Sequence, residues 1–454
     1  MKIHFIAIGG SAMHNLAIAL KLNGHSVSGS DDEIFEPSRS RLVDKGLLPA
    51  KFGWYPEFLD NSIDAIILGM HARPDNPELK QAQKLGLKIY SYPEFLYNHS
   101  KDKKRVVIGG SHGKTTITAM IMHVLKKLNY NFDYLVGSKI KDFDVMVRLS
   151  QDAPIMIFEG DEYLSSPIDL RPKFHWYSPD IALLSGIAWD HINVFPTNEN
   201  YIEQFEIFIS LINKDGSLIY FDADDELNNL VSEKSEVVNI PYGVPDYDVR
   251  NGISYLQTQF GETELGVFGK HNMINLNGAR LVCNQLGIKD ADFYDSISSF
   301  ESTSNRLELV MSNGNNRFYK DFAHAPSKVK ATVEAVREQF ADMNFVACFE
   351  LHTYSSLNKA FINEYLHTLD LPDYACVYFN EHTLKMKRLP QLSMEDITVA
   401  FGRNELHVTT DSKEIINWLE TVKKPNTVFL MMSSGNFDGI NFTDIANKLI
   451  YGKQ

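Results

Sequence analysis

Short apolar runs alternate along the chain with stretches in which apolar residues recur at helical spacing. Residues 12–22, 117–128 and 328–340 have the helical pattern. The short runs, many of them β-branched, predict strands at residues 2–8, 26–28, 65–68, 105–108, 155–158, 181–184, 344–349 and 427–431. Strands that alternate with helices predict parallel sheets, with ligands at the carboxyl ends of the strands.

Length and two breaks in this pattern divide the chain. At 454 residues it is longer than one typical core. A charged run at residues 99–105 predicts a linker or a solvated helix end, and residues 312–316 form a turn cluster. The sequence therefore predicts an α/β protein of three domains. They are a Rossmann-like domain at 1–100, a central P-loop ATPase-like domain with a parallel sheet at 101–305, and a Rossmann-like domain at 306–454.

Composition narrows the class of protein. Hydrophobic residues make up 44% and charged residues 22%, as in ordinary globular proteins. A net charge of −14 argues against a nucleic-acid partner, since nothing supplies a broad basic surface. No apolar stretch is long enough to span a membrane, and no apolar leader precedes the first strand. The three cysteines are far apart, which suits a reducing compartment, and we expect a cytoplasmic protein.

A glycine-rich turn at residues 106–118, VVIGGSHGKTTIT, joins a predicted strand to a predicted helix. This is the context of a phosphate loop, in which backbone N–H groups and the helix N-terminus face an anion. Lys114 would neutralise β- and γ-phosphate oxygens, and Thr115 would offer its hydroxyl to magnesium. The loop is shorter than the usual pattern. Its predicted ATP-binding residues are Gly110, Ser111, His112, Gly113, Lys114, Thr115 and Thr116.

Two further strand ends carry groups suited to a metal ion. Residues 158–163 end an apolar run with three acids, including Glu159, and magnesium prefers such hard oxygen ligands. A solvated strand end would look the same. His191, in Asp190-His191, is either a metal ligand or a structural histidine.

The first glycine turn, Ile8-Gly9-Gly10-Ser11, is similar to a dinucleotide fingerprint but lacks its spacing. A strand, a glycine turn and a helix N-terminus can hold any diphosphate, and Asp31 could contact a sugar hydroxyl. A turn needed only for packing is the alternative.

Three more patches place polar groups at helix starts or strand ends. They are residues 269–275 (GKHNMIN), 305–308 (NRLE) and 321–326 (DFAHAP). Each alone fits capping or turn chemistry as well.

Taken together and in this order, these motifs resemble those of the Mur ligases, the ATP-dependent amide ligases of peptidoglycan synthesis and recycling. The family carries a shortened G-T-x-G-K-T-T loop, an acidic strand end, D-H, G-x-H-N-x-x-N, R-x-E and D-[FY]-A-H-x-P. This chain matches them at residues 110–116, 159, 190–191, 269–275, 306–308 and 321–326. The resemblance runs over essentially the whole chain.

Within the family, residues 8–13 and 28–31 resemble the members that act on UDP-N-acetylmuramate. Two such members differ in the acceptor, which is L-alanine in one and L-alanyl-γ-D-glutamyl-meso-diaminopimelate in the other. Four stretches resemble the tripeptide-adding member, at residues 30–37, 159–163 with 169–174, 190–196 and 432–439. Residues 349–355 (FELHTYS) instead look like the F-Q-P-H-R-Y-S of the alanine-adding member, with Thr353 in place of its arginine. Ala325 stands where both commonly have a second histidine.

The resemblance implies a two-step reaction with ATP and Mg²⁺. The lactyl carboxylate of UDP-N-acetylmuramate attacks the γ-phosphorus, and an α-amine then displaces phosphate from the acyl phosphate. The resemblance also implies roles for individual residues. Magnesium would be held through Thr115, Glu159 and His191, and the nucleotide would be bound by Asn272, Asn275 and Arg306. The UDP-sugar would be bound by Gly9, Gly10, Ser11, Ser30 and Asp31. The catalytic residues would be Lys114, His324 and Asp321, of which the last two are candidates for the general base.

Domain closure follows from the same resemblance, because ATP would sit between the second and third domains and water must be excluded from the acyl phosphate. We expect hinges near residues 101–105 and 312–316; identical scattering profiles of the free and the substrate-bound protein would contradict this. The expected assembly is a monomer or a homodimer.

Other interpretations stay open at this point. The alanine-adding member is the main rival to the tripeptide-adding one. Folylpolyglutamate synthetases, another class of amide ligase, fit the sequence less well because they lack a separate N-terminal α/β domain like the one that begins with the turn at Gly9-Gly10. A regulatory P-loop protein that hydrolyses ATP would need the loop but neither Asp321 nor Arg306, and a nicotinamide oxidoreductase is favoured only by the turn at Gly9-Gly10.

Overall fold

The computed structural model describes residues 1–189, 194–303 and 306–452. The chain forms two compact units. Unit 1 comprises Met1–Gly243 and Asn275–Ser296, and unit 2 comprises Val244–Ile274 and Ile297–Gln454.

The N-terminal part of unit 1 is a four-stranded parallel sheet in the order β2-β1-β3-β4. Its strands are buried and apolar at the centre, as in β3, where all four residues are buried. The elements are β1 Lys2–Ile6, α1 Ser11–Leu22, β2 Ser26–Ser30, α2 Ser38–Asp44, β3 Ala65–Leu68, α3 Pro77–Lys84, β4 Ile89–Ser91 and α4 Tyr92–His99.

A seven-stranded sheet forms the rest of unit 1, in the order β13-β12-β11-β5-β8-β6-β7. Every pair is parallel except β6 with β7. Two short strands, β9 and β10, make a separate antiparallel hairpin. The elements are β5 Lys104–Gly109, α5 Lys114–Lys127, β6 Phe132–Leu135, β7 Val147–Arg148, β8 Ile155–Glu159, β9 Leu164–Ser166, β10 Asp169–Pro172, β11 Ile181–Leu184, α6 Asn198–Ser210, β12 Ser217–Phe221, α7 Asp225–Lys234 and β13 Val238–Tyr242.

Unit 2 begins with a three-stranded antiparallel sheet, β14 Tyr247–Arg250, β15 Ile253–Thr258 and β16 Gly261–Leu265. Two helices follow, α8 Lys270–Gln285 and α9 Asp290–Ile297, and the division between the units falls within each of them.

The second sheet of unit 2 has six strands in the order β17-β18-β22-β19-β20-β21, and only β17 is antiparallel to its neighbour. Its elements are β17 Glu308–Ser312, β18 Arg317–Asp321, α10 Pro326–Gln339, β19 Asn344–Leu351, β20 Tyr374–Phe379, α11 Glu381–Met386, α12 Met394–Phe401, β21 His407–Thr409, α13 Ser412–Val422, β22 Thr427–Met432 and α14 Phe442–Tyr451. Three-residue to four-residue 3-10 turns lie at Pro56–Phe58, Lys173–Trp176 and Ile362–Tyr365.

The predicted fold class is confirmed, because three largely parallel sheets alternate with helices. The antiparallel sheet of β14 to β16 was not predicted. The charged run at 99–105 joins the end of α4 to the start of β5 and is only partly solvated, against the solvated alternative: Lys103 Nζ lies 2.6 Å from Asp133 Oδ2, and Arg105 is 7% exposed. The turn cluster at 312–316 connects β17 to β18. The domain boundaries and hinges stay predictions.

Within the described ranges, no helix is both long and apolar enough to cross a membrane.

Candidate active site

The phosphate loop connects the end of β5 to the start of α5, as the sequence predicts. Gly110 has φ +114° and Gly113 has φ +74°, backbone angles that favour glycine. The loop is fixed to the neighbouring strand end, since Ser111 N donates to Gly186 O at 2.9 Å. The residues at 110–113 therefore form a turn, hydrogen-bonded to the neighbouring strand end, in front of the α5 N-terminus, which suits an anion.

Lys114, the first residue of α5, points back over this loop. Its Nζ donates to Gly110 O at 2.6 Å and to both carboxylate oxygens of Glu162, at 2.8 and 3.1 Å. Burial would lower the pKa of Lys114, but the charge and hydrogen bond of Glu162, together with the charges of Asp161 and Glu159, outweigh it and the pKa is raised. Lys114 is therefore a charged cation at the predicted phosphate site. Sequence reasoning missed Glu162 as its partner.

Thr115 and Glu159, two of the predicted magnesium ligands, lie together. Thr115 Oγ1 donates to Glu159 Oε1 at 2.6 Å, and Gly137 N donates to Glu159 Oε2 at 2.7 Å. Burial raises the pKa of Glu159, with these hydrogen bonds opposing it. A hydroxyl and a carboxylate at one strand end are a donor set that fits Mg²⁺.

The third predicted ligand, His191, lies outside the described residues. Among the residues that are described, no three His, Cys, Asp or Glu side chains are grouped so that they could hold a metal ion.

At the N-terminal turn the structure brings Gly9 and Asp31 together. Gly9 N donates to Asp31 Oδ2 at 2.7 Å, and Gly53 N donates to the Asp31 carbonyl at 2.8 Å. Burial raises the pKa of Asp31 to about 6. Gly10 and Ser11 follow at the N-terminus of α1, with Ser11 exposed. Four of the five predicted UDP-sugar residues, Gly9, Gly10, Ser11 and Asp31, thus lie near the N-terminus of α1.

Ser30 is different, because its hydroxyl is engaged within the protein. Ser30 is 3% exposed and donates to the buried carboxylate of Glu78, which also accepts from Tyr55 N at 2.6 Å. His4 Nε2 lies 3.3 Å from the same carboxylate. Glu78 gave no signal in the sequence beyond its position in the first turn of a helix.

The two asparagines of α8 have different surroundings. Asn275 lies against the phosphate loop: a Cβ on Gly113 would come within 2.2 Å of Asn275 Oδ1. Asn272, in unit 2, donates from Nδ2 to Phe268 O at 2.9 Å, so part of its amide serves the helix start.

In unit 2, Arg306, Asp321 and His324 are gathered at the end of β18. Asp321 accepts from Leu307 N and Ala323 N, both at 2.7 Å, and from the Thr332 hydroxyl at 3.3 Å. These bonds suit a carboxylate that positions the turn rather than one that takes a proton.

The neighbouring side chains complete this cluster. The Arg306 guanidinium lies 4.9 Å from the centre of the Phe322 ring, and His324 Nδ1 is 2.8 Å from Phe322 O. Burial lowers the pKa of His271, as does Arg306, whereas Asp321 acts in the opposite direction.

A second set of polar residues, not predicted as a site, lies at the ends of the adjacent strands β22 and β19. Glu350 is 3% exposed; it accepts from the Ser433 hydroxyl and, at 2.8 Å, from Phe437 N. His352 Nδ1 lies 3.6 Å from Glu350 Oε1, and a Cβ on Gly435 would come within 2.6 Å of the same nitrogen. Residues 349–355 and 432–439 each resemble the family in their local sequence, but only the sheet order makes them neighbours.

Three family models match the chain. They are "Mur ligase family, catalytic domain" at residues 2–104, "Mur ligase middle domain" at 108–283 and "Mur ligase, glutamate ligase domain" at 305–435.

Curated relatives and solved structures agree with these matches. A UDP-N-acetylmuramate–L-alanine ligase of Caldicellulosiruptor bescii is 30% identical over 389 residues, 82% of each chain. One of Sulfurihydrogenibium sp. is 29% identical over 97% of this chain and 96% of its own.

Among solved structures, the UDP-N-acetylmuramate–alanine ligase of Thermotoga maritima has a TM-score of 0.72 at 21% identity, covering 99% of this chain and 98% of its own. A murein peptide ligase of Psychrobacter arcticus has a TM-score of 0.65 at 21% identity, with the same coverage. These two likenesses concern the fold.

Proposed function

The chain belongs to the Mur ligase family of ATP-dependent amide ligases of peptidoglycan synthesis, and from that premise we propose that it joins the lactyl carboxylate of UDP-N-acetylmuramate to the α-amine of an acceptor that begins with L-alanine. ATP is converted to ADP and phosphate in the reaction. The observation that carries the proposal is the arrangement at the ends of the adjacent strands β5 and β8. Lys114 and Thr115 follow the loop after β5, and Thr115 donates a hydrogen bond to Glu159, the last residue of β8.

Step one is opposed by repulsion between a carboxylate and a polyphosphate, so positioning and positive charge must lower its barrier. The loop N–H groups and the α5 N-terminus bind the phosphates, and Lys114 supplies a fixed charge. A magnesium ion, held through Thr115 and Glu159 and, by family resemblance, His191, would add positive charge at the phosphate oxygens.

Step two needs a neutral amine next to the acyl phosphate. Of the two predicted bases, His324 keeps that role in the proposal. Asp321 instead holds the turn that carries His324, since its oxygens accept hydrogen bonds from Leu307, Ala323 and Thr332.

For the acceptor, the curated relatives favour free L-alanine, which was the alternative in the sequence analysis. The tripeptide stays the second candidate because of Thr353. An arginine at this position would offer a cation to the carboxylate of a free amino acid, whereas the Thr353 hydroxyl donates to Ser356 Oγ at 2.9 Å and accepts from Ser356 N at 3.0 Å.

The test is phosphate release from ATP with Mg²⁺ and UDP-N-acetylmuramate, with L-alanine or the tripeptide as acceptor and Lys114→Ala as the inactive control. Release with L-alanine alone supports the first acceptor, and release with the tripeptide alone supports the second. Release that needs neither the sugar nor an acceptor, and that survives in Asp321→Ala, would contradict the proposal and favour a regulatory ATPase.

A further inference from the structure

Lys114 is bound within the protein, by a main-chain oxygen and by the Glu162 carboxylate. An ammonium group has three N–H donors. One donates to Gly110 O at 2.6 Å, and the Glu162 carboxylate contacts the ammonium with both oxygens, at 2.8 and 3.1 Å from Nζ. A nucleotide phosphate that binds Lys114 would therefore compete with the Glu162 carboxylate for the ammonium group.

Glu162 is held firmly in the position from which it contacts Lys114. The residue is fully buried, and its Oε1 accepts from the Tyr201 hydroxyl at 3.2 Å. Tyr201 is also buried, and its hydroxyl lies 3.2 Å from Ser111 Oγ in the phosphate loop. Glu162 is thus tied to the loop on both sides, through Lys114 and through Tyr201.

This arrangement differs from that of the neighbouring acid. Asp161 pairs with Lys173 at 2.5 Å, and its side chain is 38% exposed. The two consecutive carboxylates therefore carry the same charge near the loop, but only Glu162 contacts Lys114. This difference provides a matched control.

We propose that Glu162 is a positioning residue that occupies Lys114 while no nucleotide is bound and yields it to the terminal phosphate of ATP. The two carboxylate oxygens take the place of two phosphate oxygens. They keep the Lys114 ammonium charged and in front of the loop, and they compete with the nucleotide for it. Tyr201 sets where Glu162 stands relative to Ser111. The proposal rests on the proposed function only in taking ATP as the nucleotide.

The test measures binding of β,γ-methylene-ATP and of ADP to the full chain by calorimetry, with neither sugar nor acceptor. Glu162→Gln keeps the shape but offers a neutral group, so the lysine is released more easily. We expect about tenfold tighter binding of β,γ-methylene-ATP, the equivalent of one charge-assisted hydrogen bond. The gain should be smaller for ADP, which lacks the γ-phosphate.

Asp161→Asn removes the same charge next to the site, and we expect its affinity to stay within about twofold of the wild type. Glu162→Asp keeps the charge but shortens the side chain, so both oxygens no longer reach Lys114; binding should again tighten, though less than in Glu162→Gln.

Equal gains in Asp161→Asn and Glu162→Gln, or an unchanged affinity in both Glu162 variants, would overturn the proposal. So would weaker binding in folded Glu162→Gln, because that would make Glu162 a contributor to nucleotide binding. A wild type that binds β,γ-methylene-ATP but forms no product with either acceptor would contradict the proposed function and leave this inference standing.

Discussion

Gly110→Ala is the sharpest test of the phosphate loop, because it adds one carbon where the backbone leaves no room. A Cβ on Gly110 would lie 2.7 Å from Ser185 N and 2.9 Å from Gly186 O, whereas ordinary contacts begin at 3.4 Å. These neighbours are main-chain atoms, so no side chain can rotate away. The φ of +114° adds strain of its own for any residue with a Cβ.

The expected loss of stability in Gly110→Ala has two causes, the positive φ and the steric clash of the added Cβ. Placing an L-residue at positive φ costs about 1–2 kcal/mol. Relieving the clash separates the loop from β11 and its following turn, which weakens the hydrogen bond from Ser111 N to Gly186 O; a broken buried hydrogen bond costs about 1–3 kcal/mol. We expect a loss of about 2–5 kcal/mol in the free energy of unfolding.

Gly287→Ala is the matched control in the same unit. Gly287 has φ +87° but nothing within 4 Å of its added Cβ, so only the backbone term applies. Urea unfolding of the two variants, followed by calorimetric binding of β,γ-methylene-ATP, separates the effects. If Gly110→Ala lost no more stability than Gly287→Ala, or bound the nucleotide as the wild type does, the described loop geometry would be refuted.

Three further predictions concern other parts of the site. Because burial raises the pKa of Asp31 to about 6, the folded protein holds a proton that the unfolded chain releases near pH 4; stability should fall as pH rises from about 4 to 6. Asp31→Asn should remove this slope in melting temperatures, and an unchanged slope would contradict the assignment. Burial opposes ionisation of Glu350, but hydrogen bonds to the carboxylate outweigh it and lower the pKa; its contribution to stability is therefore present at neutral pH and lost as pH falls below about 4.5. Glu350→Gln should flatten this acid limb of the melting curve, whereas a limb as steep as in the wild type would argue against it. Asp321→Ala removes the acceptor of three hydrogen bonds and should cost about 2–4 kcal/mol in urea unfolding, whereas His324→Ala should leave stability nearly unchanged and lower ligation about 100-fold or more. A stable but inactive Asp321→Ala would contradict the division of roles between the two.

Much of the fold could be read from local patterns. Strands β3 and β11 were predicted with their observed bounds, since a short apolar run between polar turns has few other solutions. The first strand ends two residues early because Ala7 has φ +68°, a backbone angle that no apolar pattern encodes. The sheet of β14 to β16 was missed because its strands are half exposed and rich in polar residues.

The candidate site divides in the same way. Gly110, Gly113 and Lys114 were found because a loop that binds phosphate through its backbone leaves a local glycine signature. The sequence did not identify Glu162, Glu78 and Glu350 as site residues together with the groups that they contact. A buried carboxylate that has a partner 48 or more positions away in sequence leaves no periodic trace of that pairing.

The sequence alone determined the alternation of strands and helices, the phosphate loop and the family resemblance, because these depend on residues close together in the chain. Tertiary structure decided which distant groups face one another: Glu162 against Lys114, Asn275 against Gly113, and Glu350 of β19 against Ser433 at the end of β22. The physical reason is that charge pairing and hydrogen bonding depend on distance in space. That distance is set by strand order and packing, which local sequence does not encode.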